Sequence, residues 1–292
     1  SDDRSFLTNG YKFEYGGLVP RAQAVRDPAL EPTEVLHPVF LRRNLKPTLS
    51  IGHVTDTHVD VRNDVYARNS IDGNGLRLDS TVHYQKGYDN AFWNGQQMVY
   101  GDGDEDLPIA QRLFNRFTIA IDVIGHELTH GVTQYEAKLV YSNQPGALNE
   151  SMSDVFGSTI TQYANKEDAG SADWLIGDEI MGPTLFGEAL RSMKAPGTAY
   201  NNQLMGADPQ PDHMRNYYAG PDDNHGVHIN SGIPNKAFYL TAMSIGTDKA
   251  ALIWYQGLQK LWPTAKFSDA VKVLAEAARS PLAHVLTSAI GG

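Results

Sequence analysis

Apolar residues change their period along this chain. In Arg77-Leu78-Asp79-Ser80-Thr81-Val82-His83-Tyr84 they alternate with polar ones, the two-residue repeat of a half-buried strand. From Ile119 they recur every three or four residues. Ile119, Val123, Ile124, Leu128 and Val132 mark one helix with Gly131 near its expected end, and Leu148, Met152, Val155, Phe156, Thr159, Ile160 and Tyr163 mark a second. Beyond Ser231, Ile233, Ala237 and Leu240 keep helical spacing, with Pro234 in the first turn and Gly246 past the end. Lys249 to Leu261, Ser268 to Arg279 and Pro281 to Ile290 read as three more helices.

The first half is patterned differently. Tyr11 to Tyr15 alternates like a short strand, whereas Pro20, Pro28, Pro32, Pro38 and Pro47 break the rest up, so residues before about 50 read as an extended arm, a strand ribbon or a retained pro-segment remnant. Ile51 to Val61 is β-rich. It carries His53, Asp56, His58 and Asp60, but His53 and His58 are five apart, on opposite faces of a strand, so a polar strand is expected there rather than a second metal site. The turn signals of Asn69 to Gly75 predict a hairpin, and Asp102 to Asp106 predicts a solvated turn. A β-rich half followed by a helical half predicts an α+β fold: a β-rich N-terminal domain over residues 1–135, ending in the helix around His126, and a mainly α-helical C-terminal domain over 136–292. A cleft between the two is the expected substrate site.

The chemistry concentrates on two helices. His126 and His130 are four apart, one turn above each other on one face, so both imidazoles can reach one metal ion. Glu127 falls beside them, placed to act as a base on a water at the metal rather than as a ligand. The five-residue pattern alone leaves open a helix that holds these residues by composition. Downstream, Glu150 and Asp154 share a face away from the apolar stripe. Glu150 would complete a His2Glu zinc shell with an open position. Asp154 can accept the distal N–H of a liganding histidine, and Asn149 can do likewise.

These residues resemble the thermolysin-like metallopeptidases, the gluzincins, which join His-Glu-x-x-His to a downstream Asn-Glu-x-x-Ser-Asp. The resemblance extends through Asn90 to Gly95, Met98 to Asp104, Leu190 to Met193 and Gly226 to Gly232, while Lys194 to Tyr200 is similar to the compact protealysin-type branch. It implies a zinc endopeptidase. By the same resemblance Tyr141 and His228 stabilise the oxyanion, Asp223 orients His228, and Arg191 binds the substrate carbonyl past the scissile bond. Asn90 and Ala91 lie on an edge where a peptide adds as a strand. Phe114, Phe117, Val123 and Leu190 match the pocket for the residue after the cut, which implies cleavage before bulky hydrophobic residues. His225 departs from the family, where glycine is common. The family's paired calcium site maps onto Asp122, Thr161, Asp173, Leu175 and Asp178. With only Asp122, Asp173 and Asp178 as carboxylates, one calcium or none is expected. A zinc-binding scaffold without turnover and a zinc hydrolase of a non-peptide substrate are the alternatives.

Composition narrows the partners. A formal charge of −10 over 292 residues gives phosphate backbones and anionic membranes little to bind, so neither nucleic acid nor membrane is an expected partner. The absence of cysteine excludes disulfides and thiolate metal sites. No run approaches membrane-spanning length, and the first residues lack the pattern of a signal peptide. A secreted monomer acting on peptides or proteins is expected, with intracellular action the alternative.

Overall fold

The computed structural model describes residues 5–6, 39–40, 49–52, 66 and 68–280. The expected strand at Tyr11 to Tyr15, the residues His53, Asp56, His58 and Asp60, and the expected helix at Pro281 to Ile290 lie outside the described residues. The fold is α+β. It forms two compact units, Ser1–Thr118 and Ile119–Gly292. The helix around His126 falls in the second of these, whereas the sequence division at 135 counts it with the first.

In the first unit, β1 (Ser5–Phe6) pairs antiparallel with β2 (Val39–Phe40). Then β3 (Leu49–Gly52), β4 (Asp79–Val82), β5 (Ala91–Trp93) and β6 (Met98–Tyr100) form a sheet in the order β3-β4-β6-β5. Strand β4 runs antiparallel to β3 and parallel to β6. The Asn69 to Gly75 stretch is therefore not a tight hairpin. Its turn is closed by Asp72, whose Oδ1 accepts the N–H groups of Asn74 and Leu76 at 2.8 and 3.0 Å, so a side chain takes the place of a strand ladder. The β5–β6 hairpin turns at Asn94, whose Oδ1 caps Gln96 and Gln97. That pairing leaves β5, with Ala91, at the edge of the sheet.

Asp102 to Asp106 also differs from expectation. Asp104 is buried, and its Oδ2 accepts the N–H groups of Leu113 and Phe114 at 2.8 and 3.3 Å. Asp102 pairs with His83 Nδ1 at 2.7 Å. Asp104 thus closes the loop through residues 105–112 from a buried position, while residues 106–111 of that loop are exposed. Each partner lies nine or more residues away, beyond the reach of local composition.

The second unit is built on helices α1 (Ile121–Tyr135) and α2 (Asn143–Asn165), followed by short strands β7 (Leu175–Ile176), β8 (Arg191–Ser192), β9 (Asn201–Asn202) and β10 (Gly206–Ala207). Then come α3 (Asp222–Asn230), α4 (Gly232–Ile245), α5 (Thr247–Leu258) and α6 (Phe267–Ala278). Gly131 does not end α1. The helix continues to Tyr135 and stops where Lys138, at φ 54°, sends its N–H back to the Thr133 carbonyl. Close approach joins α1 to α2: a Cβ on Gly157 would meet the Asp122 carbonyl oxygen at 2.5 Å. Only glycine lets the two backbones touch there. Trp174, Phe238 and Trp254 fill the core behind, with ring centroids 6.0 and 5.1 Å apart.

Candidate active site

The α1–α2 contact brings His126, His130 and Glu150 together, with one ligand atom from each inside 4.8 Å of the others. Their Nε2 atoms are 3.0 Å apart, and Glu150 lies 3.3 Å from His126 and 3.4 Å from His130. Both Nδ1 atoms are already committed, His126 to Asp154 Oδ1 and His130 to Asn149 Oδ1, each at 2.8 Å. An Nδ1–H donated to oxygen leaves the Nε2 lone pair facing inward. Two lone pairs and the buried Glu150 Oε2, which has no hydrogen-bond partner, thus converge on one point. That donor set can hold a cation. Burial alone would lower the His126 pKa, but Asp154 and Glu150 raise it to about 10, the mark of a strongly anionic setting around the ring. Two imidazoles and a carboxylate suit zinc.

Around this centre, Asp154 anchors more than the sequence suggested. Besides His126 it accepts Nε and Nη2 of Arg191, both at 2.7 Å, and Nδ2 of Asn235 at 2.8 Å. Burial raises its pKa, yet Arg191 and His126 together hold it well below the ordinary carboxylate range. Removing one partner of such a buried pair costs about 3–5 kcal/mol. Asn235 escaped the sequence reading, although a signal was there: it shares the buried face of α4 with Phe238 and Ala242, a polar residue on an apolar stripe.

Tyr141 donates its hydroxyl to Glu150 Oε1 and lies 3.1 Å from His228 Nε2. Burial, then Glu150, raises the Tyr141 pKa, and Glu127 contributes to the shift. The phenol stays a donor. Glu127 is itself buried on α1. His228 Nε2 is 3.4 Å from Glu150 Oε2, so two donors and the three ligand residues face a common space.

Helix α3 explains how His228 is held. Asp223, Asn224, His225 and Gly226 sit at φ 54°, 49°, 66° and 80°, a left-handed turn that costs non-glycine residues strain. The reversal folds Asp223 back onto His228, five residues on, where a regular helix would turn them apart. Asp223 Oδ1 meets His228 Nδ1 at 2.5 Å, while Oδ2 accepts the N–H groups of His228 and Ile229 at 2.7 and 3.1 Å. Burial opposes the charge on His228, but Glu150 and Asp223 raise its pKa. His225 is exposed on the strained turn.

The remaining sequence candidates fall in separate places. Phe114 and Phe117 belong to the first unit, with ring centroids 5.9 Å apart. Val123 on α1 and Leu190 just before β8 belong to the second. Asp122 is buried and accepts the N–H groups of Val123 and Gly177 at 2.7 and 2.6 Å. Burial raises its pKa to about 6, those two N–H groups pull against the rise, and Asp178 and Glu179 add to it. Burial, then Asp173, raises the pKa of Asp178 in turn. Glu179, which the sequence reading passed over, belongs to this acidic group, yet Asp122, Asp173 and Asp178 do not bring ligand atoms together as the three at the metal centre do.

An α+β chain whose paired helices bring two histidines and a glutamate to one point belongs to the His-Glu-x-x-His class of metal proteins. Comparison narrows the class. Residues 39–134 match the family model for the thermolysin metallopeptidase catalytic domain, and residues 137–285 match that for the thermolysin metallopeptidase alpha-helical domain. The chain belongs to the thermolysin metallopeptidase family. An extracellular metalloprotease of Pectobacterium carotovorum subsp. carotovorum is 56% identical over 197 residues, 66% of this chain and 55% of that protein. Thermolysin of Alicyclobacillus acidocaldarius subsp. acidocaldarius is 47% identical over 221 residues, 72% of this chain and 37% of that protein. The chain thus spans little more than half the length of the first relative and less of the second. Among solved structures, the precursor of protealysin, a metalloproteinase from Serratia proteamaculans, superposes with a TM-score of 0.71 at 41% identity, covering 99% of this chain and 86% of that one.

Proposed function

We propose that this protein is a zinc-dependent endopeptidase. The observation that carries the reading is the convergence of His126, His130 and the Glu150 carboxylate on one point, with Tyr141 and His228 beside it. His126, His130 and Glu150 would hold a zinc ion, which would supply a Lewis acid to polarise the scissile carbonyl and acidify the attacking water. Glu127 takes the proton from that water and delivers it to the leaving amine. Tyr141 and His228 donate to the developing oxyanion, with Asp223 fixing the His228 ring. Asp154 and Asn149 hold the liganding histidines. Arg191, fixed by Asp154, donates to the substrate carbonyl beyond the cut. Asn90, immediately before edge strand β5, and Ala91, its first residue, would receive an extended peptide as an added strand, which favours a polypeptide over a small non-peptide substrate. No nucleophilic side chain is required.

Cleavage before Leu, Ile, Val or Phe is part of the proposal and rests on Phe114, Phe117, Val123 and Leu190. Action outside the cell follows the Pectobacterium relative, whose name describes it as extracellular. No helix among the described residues is long and apolar enough to cross a membrane. The test is digestion of a denatured protein with zinc, with a chelator, and with zinc restored, followed by mapping of the cut sites. Chelator-sensitive cuts before bulky apolar residues are expected, and cuts dominated by charged residues there would sink the specificity. One calcium or none is proposed near Asp122, because a close pair of divalent ions needs more carboxylates than Asp122, Asp173 and Asp178 provide. Asp122→Asn should weaken any calcium-dependent rise in Tm, and two calcium ions bridged at these residues would contradict the proposal.

A further inference from the structure

Between β8 and α3 the chain passes through Asp208-Pro209-Gln210-Pro211, a stretch with no part in the chemistry above. Asp208 is buried and organises it: Oδ2 accepts the N–H groups of Gly197 and Ala199 at 2.9 and 3.1 Å, and Oδ1 accepts that of Gln210 at 3.0 Å. Gln210, so held, is buried as well. Its Nε2 donates to the main-chain carbonyl of His228 at 2.6 Å and to Ser231 Oγ at 3.0 Å, and Ser231 Oγ donates to the same carbonyl at 2.8 Å. The amide cannot be turned over, because Oε1 would then face the His228 carbonyl, acceptor against acceptor. In the orientation it keeps, Gln210 Oε1 is buried without a partner. A buried amide that leaves one end unsatisfied is a poor way to stabilise a loop and calls for another explanation.

We infer that Gln210 is a positioning residue for His228, fixing its carbonyl end as Asp223 fixes its amide end. His228 needs such support because the turn before it is left-handed and residue 224 cannot offer the carbonyl of a regular helical ladder. Its N–H goes instead to Asp223 Oδ2. With main-chain N–H and C=O both tied to side chains, the Cα–Cβ direction of His228 is set from two sides, and Asp223 Oδ1 then sets the ring. Catalytic donors are sensitive to displacements of this kind, since a shift of about 1 Å can cost a large factor in rate. This inference rests on the proposed role of His228 and goes beyond it by assigning a residue that touches neither substrate nor metal.

The test uses Gln210→Met, which keeps the length of the side chain but removes the donor. If methionine disturbs folding, Gln210→Glu serves, having the same shape without the N–H. In the zinc-loaded enzyme kcat should fall on the order of 10-fold with KM and zinc content unchanged. In a His228→Ala background the same substitution should lower kcat no further, because the residue it positions is gone. Wild-type kcat in Gln210→Met, or a loss that persists undiminished beside His228→Ala, would overturn the inference. A readout independent of turnover separates it from the functional reading: NMR ring signals of His228 should shift in Gln210→Met while those of exposed His213 stay put. Unmoved His228 signals overturn the inference even in an active enzyme. A zinc-loaded wild type that cleaves nothing would overturn the endopeptidase reading, with the ring signals still deciding the role of Gln210.

Discussion

At the scale of single residues, the proposed mechanism separates groups that would touch the reaction from groups that hold them. His228 and His225 lie three apart on one turn, yet only His228 has its ring nitrogen within 3.1 Å of the Tyr141 hydroxyl. Loss of one oxyanion donor typically costs on the order of 10²–10³ in rate. His228→Ala is therefore expected to lower kcat by that factor with zinc retained, and His225→Ala to leave it near wild type. Steady-state kinetics on one peptide would show it, and the reverse ranking would mean that the wrong imidazole has been chosen. The metal ligands were legible because the four-residue spacing of His126 and His130, and of Glu150 and Asp154, is itself helix geometry. The Asp223–His228 pair was not legible from periodicity, since it depends on three non-glycine residues at positive φ. Only resemblance pointed to it. That Arg191 and Asn235 meet on Asp154 was not legible, because they come from distant elements; the one local sign was the place of Asn235 on an apolar stripe.

Elements carry the site through one crossing. Helices α1 and α2 approach closely enough at Gly157 for its Cα hydrogen to face the Asp122 carbonyl. Gly157→Ala places a methyl group against backbone, which cannot move aside as a side-chain tip can. Overpacking of this kind costs about 1–3 kcal/mol. Urea unfolding should show that loss, together with weaker zinc binding as Glu150 moves away from the histidines; unchanged stability would mean that the crossing relaxes freely. Asp122, in the first turn of α1, adds a pH dependence. Its pKa is 3.8 unfolded and about 6 folded, so between these values the native state binds the proton more tightly. Stability must fall as pH rises through that window, by on the order of 3 kcal/mol from this group. Midpoints measured from pH 4 to 6.5 in calcium-free, zinc-containing buffer should therefore decline for wild type relative to Asp122→Asn. Parallel profiles would show that Asp122 titrates normally. The helices that form this crossing were clear from their apolar stripes, though the first runs on to Tyr135, about one turn past Gly131, near which its end was expected. Asp104 was misread because acidic turns are usually solvated, and its amide partners near residue 113 could not be foreseen.

For the molecule as a whole, the α+β class and the helical second half follow from the change of period near Ile119, whereas the sheet order β3-β4-β6-β5 does not. A parallel β4–β6 pair leaves no mark in local alternation. The central claim is that this chain is a zinc peptidase in which Glu127 moves protons but does not bind the metal. The most direct measurement compares zinc stoichiometry and turnover on one denatured protein substrate for wild type and Glu127→Ala. One zinc per chain in both, with turnover lost by several orders of magnitude in the variant alone, is the predicted result. Zinc lost along with activity in Glu127→Ala, or a zinc-loaded wild type without chelator-sensitive cleavage, would contradict it.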